Sequence, residues 1–300
     1  MDTAELPTKG TTVNRIIAIS FLTALILATT ALLVRGQGND KAVLWRVSGN
    51  GLKNPSYLFA TLEWHDTAFL ATQAQVLPFL DSVKVVLTES DYALPPTHSE
   101  LSLFASDNRF SIKQQLTPDE YKLLTSYCSQ NYGISVIDDR IKPIYPYLLL
   151  STHWAKDTLK SIEWSLYQKA IEKGKTCYGY LSLKEQMANL DSLTLSEQTA
   201  LLKGALKDLG KEKNHGKVVQ AYMEGDLEEV QKLYRKNVYP GKLFFLLCWN
   251  DNASIAAKIE QRMQMQPALI AVPAQRLGKE GGIIELLRKK GYVLEPIKPN

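Results

Sequence analysis

The sequence predicts an α/β fold, in which a mixed β-sheet with flanking helices and a largely helical middle section follows one N-terminal transmembrane helix. Two observations support this fold class. Short aliphatic and aromatic runs alternate with helical patterns along most of the 300-residue chain, which is typical of an α/β sheet. One longer apolar run without charges precedes them, and its length suits a bilayer.

The apolar run covers residues 16–34, from Ile16 to Val34, and contains no charge, proline or glycine. About 19 helical residues span close to the thickness of a hydrocarbon core. Arg15 and Arg35 flank the run, and Lys9 adds positive charge to the tail 1–15. The positive-inside rule then favours a cytoplasmic N-terminus and an extracytoplasmic domain. We therefore predict a single-pass anchor at 16–35; a cleaved signal peptide, giving a secreted protein, is the alternative.

The polar spacer at 36–40 separates this anchor from one predicted domain at 41–298. Within the domain, strand-like runs rich in aliphatic or aromatic residues predict the β-sheet. These runs are residues 44–47, 57–62, 83–88, 176–180, 269–272 and 293–297.

Helix starts are also readable in the chain. Residues 117–120 and 182–185 have the spacing of a capping box, in which Ser or Thr precedes Glu by three residues. Asp226 precedes two further acids, which suit the positive end of a helix. Since the region 97–235 shows only one clear strand, we predict a mostly helical layer there.

Composition narrows the classes of function. The net charge of +4 comes from 35 Lys and Arg scattered among 31 Asp and Glu, too mild a balance to indicate a nucleic-acid partner. Cys128, Cys177 and Cys248 are too few and too far apart for a zinc ribbon or a disulfide scaffold. We predict that they serve as small buried side chains.

Five blocks in order resemble the TraB/GumN family, which includes the Tiki metalloproteases. They cover nearly the whole predicted domain: residues 44–62 (the opening Leu-Trp-Arg-Val-Ser-Gly and Pro-Ser-Tyr-Leu-Phe-Ala-Thr-Leu), 86–89 (Val-Leu-Thr-Glu), 170–186, 251–259 and 271–292. The resemblance implies a metalloprotease-like site in which two motif histidines hold a metal.

The chain departs from the family pattern at the polar positions of that site. Glu63 stands in place of the first motif histidine and Arg276 in place of the second. Leu181 replaces a glutamate, and Asp251 replaces the arginine of an Arg-Asn pair. Of the six positions that the resemblance brings into the site, Glu89 and Asn252 alone keep the family residue.

These departures predict a degenerate site. Arginine cannot ligate a metal, because its guanidinium stays protonated and offers no lone pair. We therefore predict no cofactor and a non-catalytic domain, a pseudoenzyme with a binding or regulatory role toward a peptide or an envelope protein. An ion pair between Glu63 and Arg276, in the place of the metal, follows as a hypothesis.

A divergent, peptidase-like metal-dependent hydrolase stays open as the alternative. Glu63, Glu89 and Asp251 are oxygen ligands suited to Mn²⁺, Mg²⁺ or Ca²⁺. His65 lies two residues after Glu63 and reaches the same side if the strand continues, because residues i and i+2 share one face.

Overall fold

The computed structural model describes residues 40–62, 67–93, 97–107, 109–151, 161–209, 215–278 and 281–298, and these ranges hold a six-stranded β-sheet. Its strands are β1 (Leu44–Gly49), β2 (Ser56–Thr61), β3 (Val85–Thr88), β4 (Thr176–Gly179), β5 (Ala268–Pro273) and β6 (Tyr292–Ile297). Each predicted strand is confirmed, with ends that shift by a residue or two. The predicted α/β fold class is therefore confirmed.

The strands lie in the order β4-β3-β5-β2-β1-β6. Neighbours from β4 through β3 and β5 to β2 are parallel, whereas β1 is antiparallel to both β2 and β6. The sheet is mixed, as predicted. Because β2, β3, β4 and β5 run in one direction, the segments that follow them leave the same edge of the sheet. We call this the carboxyl edge.

Helices account for most of the remaining described chain. They are α1 (Thr67–Ser82), α2 (His98–Leu101), α3 (Ile112–Gln115), α4 (Pro118–Tyr132), α5 (Ile144–Ser151), α6 (Ile162–Glu172), α7 (Leu183–Leu190), α8 (Leu195–Asp208), α9 (His215–Met223), α10 (Leu227–Leu233), α11 (Lys242–Cys248), α12 (Asn252–Met265) and α13 (Ile283–Lys289). Short 3₁₀ turns lie at Ser102–Phe104 and Ala274–Arg276, and a π-helical turn lies at Tyr234–Val238.

The predicted helix starts are correct. Thr117 and Ser182 each accept a hydrogen bond from the backbone N–H three residues later, while Glu120 and Glu185 bond back to the cap residue. Asp226 caps α10 by accepting a hydrogen bond from the Glu229 amide. The helical middle section is likewise confirmed, because β4 is the one strand described between residues 97 and 235.

The central strands carry the core. Every residue of β3 and of β5 is buried, so both faces of the sheet are covered there, as parallel strands require. Cys128 and Cys248 are buried, whereas Cys177 in β4 is half-buried. Burial raises the pKa of the Cys177 thiol to about 11, which keeps it protonated at neutral pH.

The residues from Lys41 to Asn300 form one compact unit. The predicted anchor at 16–34 lies outside the described residues. Among the helices that the structure describes, none combines the length and the apolar character that crossing a bilayer demands.

Candidate functional site

Polar side chains gather at the carboxyl edge, where the chain leaves its parallel strands. Glu89 directly follows β3, Leu181 comes two residues after β4, and Arg276 comes three residues after β5. Since β3 has β4 on one side and β5 on the other, these three segments are neighbours. Ligand sites of open α/β sheets usually lie outside this edge.

Arg276 is the centre of the site. It ends the 3₁₀ turn that follows β5, and its side chain is only 6% exposed. Its Nε lies 3.1 Å from Oε1 of Glu89, and its Nη1 donates a hydrogen bond to Oδ1 of Asn252 at 3.1 Å. Burial by itself lowers the pKa of Arg276, but nearby negative groups, Glu89 foremost, outweigh it and raise that pKa. The guanidinium therefore stays charged.

The start of α12 supplies two further polar groups. Asn252 is its first residue and donates a hydrogen bond to the Gly281 carbonyl at 3.0 Å. Asp251 takes the cap position, and its carboxylate accepts a short hydrogen bond from the side-chain amide of Asn189. Asn250 in turn donates to Asn189 Oδ1 at 2.8 Å. These contacts fix the Asp251 carboxylate beside the site.

A buried carboxylate on α6 supports Glu89. Glu163 is 6% exposed, and its Oε1 accepts a short hydrogen bond from the Glu89 backbone amide. Sequence reasoning missed Glu163. An acidic residue in the first turn of a helix is common, since it suits the helix dipole, so its position carried no distinctive signal.

The Tyr180 hydroxyl is buried beside the same charges and also escaped prediction. Tyr180 is 6% exposed, and among the described residues its hydroxyl has no hydrogen-bond partner. Burial, together with Glu89 and Glu163, raises the pKa of Tyr180 well above its ordinary value. The phenol is therefore neutral at physiological pH.

A cavity of about 240 Å³ opens above this cluster. We call it the carboxyl-edge pocket. Its polar lining includes Glu89, Asn189, Asp251, Gln275 and Arg276, and its apolar lining comprises Leu148, Leu181, Met187, Leu190, Tyr239, Leu246, Leu247 and Pro273. The lining of the pocket thus combines charged side chains with aliphatic side chains.

Five of the six family positions lie at this pocket. Glu89, Leu181, Asp251 and Arg276 line it, and Asn252 bonds to Arg276. Glu63 and His65 follow β2 in the sequence but lie outside the described residues. The hypothesis of a Glu63–Arg276 pair therefore stays a prediction, and the described ion-pair partner of Arg276 is Glu89.

The described residues do not fit a divalent cation. Arg276 sets a fixed positive charge against Glu89, which is the carboxylate that a metal would need. Leu181 presents an aliphatic side chain to the pocket at the position where the resemblance implies a glutamate. Among the residues that the structure describes, no group of three His, Cys, Asp or Glu side chains has a metal-binding arrangement.

Comparison with known proteins yields one match. A protein-family model described as the TraB/PrgY/gumN family matches residues 43–296. Neither the curated proteins nor the solved structures contain a significant match to the chain. The match covers strands β1 to β5, all but the last residue of β6, and the whole carboxyl-edge pocket.

Proposed function

The chain belongs to the TraB/PrgY/gumN family, and we propose that it is a non-catalytic member, tethered to a membrane, that binds a peptide segment in the carboxyl-edge pocket. The segment belongs to a free peptide or to an envelope protein. The binding event, rather than a chemical step, is then the function of the domain.

One observation carries the proposal: a buried guanidinium holds Glu89. Metal-assisted hydrolysis needs ligands around an ion with an open position and a base for the bound water. At the carboxyl edge the Arg276–Glu89 contact of 3.1 Å uses the retained carboxylate for a structural pair. The same guanidinium also bonds to Asn252, the second retained residue.

The pocket walls support binding. Aliphatic side chains with a few fixed polar groups are the usual lining of a ligand site. A cavity of about 240 Å³ is smaller than the ~300–1,000 Å³ of a typical small-molecule site. It therefore suits one side chain of a larger partner, whose remaining residues lie along the rim.

A peptide-binding and cleavage assay tests this function. The full-length protein is incubated with a phage-displayed random peptide library, and enriched peptides are synthesised and followed by calorimetry and by mass spectrometry. We expect saturable binding and intact peptides. No enrichment over a phage-only background contradicts the proposal.

A matched pair of variants ties the binding to the pocket. Leu247 lines the pocket and is half-buried, so Leu247→Trp fills it and abolishes binding. Phe245 lies on the same helix α11 but is 48% exposed and outside the pocket. We expect Phe245→Trp to bind as the wild type does.

The divergent hydrolase is the competing outcome of the same assay. Cleavage of enriched peptides that requires Mn²⁺, Mg²⁺ or Ca²⁺ and is lost in Glu63→Ala favours the enzyme. Glu63 and Glu89 are the carboxylates on which that activity would depend. Such a result overturns the non-catalytic assignment.

A further inference from the structure

We propose that the carboxyl-edge pocket selects a cationic side chain, a guanidinium or a primary ammonium on an aliphatic stem. The inference rests on the proposed function and names the chemical class of its ligand. It narrows the ligand of that function from peptides in general to segments that carry Arg or Lys.

The charges that line the pocket do not balance. Of the lining residues that the structure describes, Glu89 and Asp251 are carboxylates and Arg276 is the one cation. Arg276 is already engaged by Glu89 through its Nε and by Asn252 through its Nη1. No described Lys, Arg or His lies within ion-pair distance of Asp251, whose carboxylate instead meets the neutral amide of Asn189. Among the described side chains that line the pocket, carboxylates therefore outnumber cations by one.

Two helix ends of opposite partial charge lie at the pocket. The C-terminal residues of α7, Asn189 and Leu190, line the pocket, and a helix C-terminus carries a partial negative charge. Asp251 lies at the N-terminus of α12, which carries a partial positive charge. The described lining of the pocket therefore carries a net negative charge, which comes from the excess of carboxylates over guanidinium.

The apolar lining of the pocket suits the aliphatic stem of a Lys or Arg side chain. Leu181, Leu190, Leu246 and Leu247 contribute aliphatic surface to this lining. Lys and Arg side chains bury their methylene stems against apolar surface and direct the charged head to polar groups. A norleucine side chain shares the stem alone, so the head group determines the preference.

Small matched probes test the proposal on the full-length protein. Binding of Nα-acetyl-arginine amide and Nα-acetyl-lysine amide is compared, by calorimetry or NMR titration, with their uncharged counterparts Nα-acetyl-citrulline amide and Nα-acetyl-norleucine amide. We expect each cationic probe to bind about tenfold more tightly than its neutral counterpart, the range of a charge-assisted hydrogen bond. Equal affinities, or no binding of the cationic probes at their solubility limit, overturn the proposal.

Two variants locate the preference. Asp251→Asn removes the unbalanced carboxylate and should bring the charged-to-neutral affinity ratio close to unity. Glu295→Gln removes a carboxylate that pairs with Arg46 on the strands β1 and β6, with the same change in net charge, and should leave the ratio as in the wild type. A ratio that Asp251→Asn does not change contradicts the assignment.

The outcomes also separate this inference from the proposed function. Library peptides that bind in the pocket without enrichment of Arg or Lys leave the binding function intact and overturn the cationic preference. Loss of all library binding removes the proposed function itself.

Discussion

Arg276 and Glu89 form an ion pair between two adjacent parallel strands, with 3.1 Å between Nε and Oε1. Arg276 follows β5, Glu89 follows β3, and the two strands are hydrogen-bonded neighbours. The pair therefore joins two loops at the carboxyl edge. The guanidinium is 6% exposed and the carboxylate 24%. The main cost of breaking the pair is therefore a buried positive charge that has lost its partner.

A double-mutant cycle measures this pair. We expect Glu89→Gln to lower the free energy of unfolding by about 3 kcal/mol, because an unpaired buried charge is left. Combining it with Arg276→Met should recover part of that loss, with a coupling energy of about 1–3 kcal/mol in urea unfolding. The exposed Arg46–Glu295 pair is the control and should couple by less than about 1 kcal/mol. Additive effects at Glu89 and Arg276 contradict the assignment.

Acid titration tests the capping box of α7. The hydrogen bond from Lys258 and the backbone amide of Ser182 lower the pKa of Glu185 from 4.5 to about 2. A lowered carboxyl pKa stabilises the fold above pH 4.5, and this stabilisation is lost as the pH falls toward 2. NMR titration should give a Glu185 midpoint near 2, rising toward 4.5 in Lys258→Met. A wild-type midpoint near 4.5 contradicts this prediction.

Two glycine substitutions separate close packing from helix propensity. A Cβ at Gly179 would lie 2.4 Å from the Asp91 backbone nitrogen, so Gly179→Ala should cost about 1–3 kcal/mol of unfolding free energy. Gly204 lies inside α8, and a Cβ added there would meet no atom within 4 Å, so Gly204→Ala should stabilise by up to about 1 kcal/mol. Equal effects of the two substitutions in chemical denaturation are the contrary result.

The N-terminal segment predicts a membrane-bound protein. We expect the full-length protein to remain in the membrane fraction after alkaline carbonate extraction, with residues 16–34 intact by mass spectrometry. Leu25→Arg combined with Ile26→Asp should release it, because each charge near the centre of a span costs about 2.5–3.5 kcal/mol. Leu25→Ala is the control and should stay bound. A mature chain that lacks residues 16–34 supports the signal peptide instead.

The sequence predicted the sheet well because its strands are strongly patterned. The strands β3 and β5 are continuous aliphatic runs that both faces of the sheet bury, and capping residues marked several helix starts. Strand order was not readable in the same way. Since β5 lies between β3 and β2, Arg276 has candidate partners on either side, and local sequence does not distinguish Glu89 from Glu63.

The supporting residues of the site were harder to predict, because they depend on tertiary packing. Glu163 comes from α6, more than seventy residues away along the chain, yet it accepts from the Glu89 amide. In the sequence, Tyr180 looked like an ordinary aromatic residue near the end of a strand. Each became part of the site only when the fold placed it beside Glu89.

Metal binding tests the central claim, that Arg276 replaces a metal centre with an ion pair. The measurement is equilibrium dialysis of the full-length protein against Mn²⁺, Mg²⁺ and Ca²⁺ in turn, with bound metal determined by elemental analysis. We predict no saturable binding, since the guanidinium holds Glu89 at the carboxyl edge. Saturable, stoichiometric binding that is lost in both Glu63→Ala and Glu89→Gln would contradict the claim and restore the hydrolase.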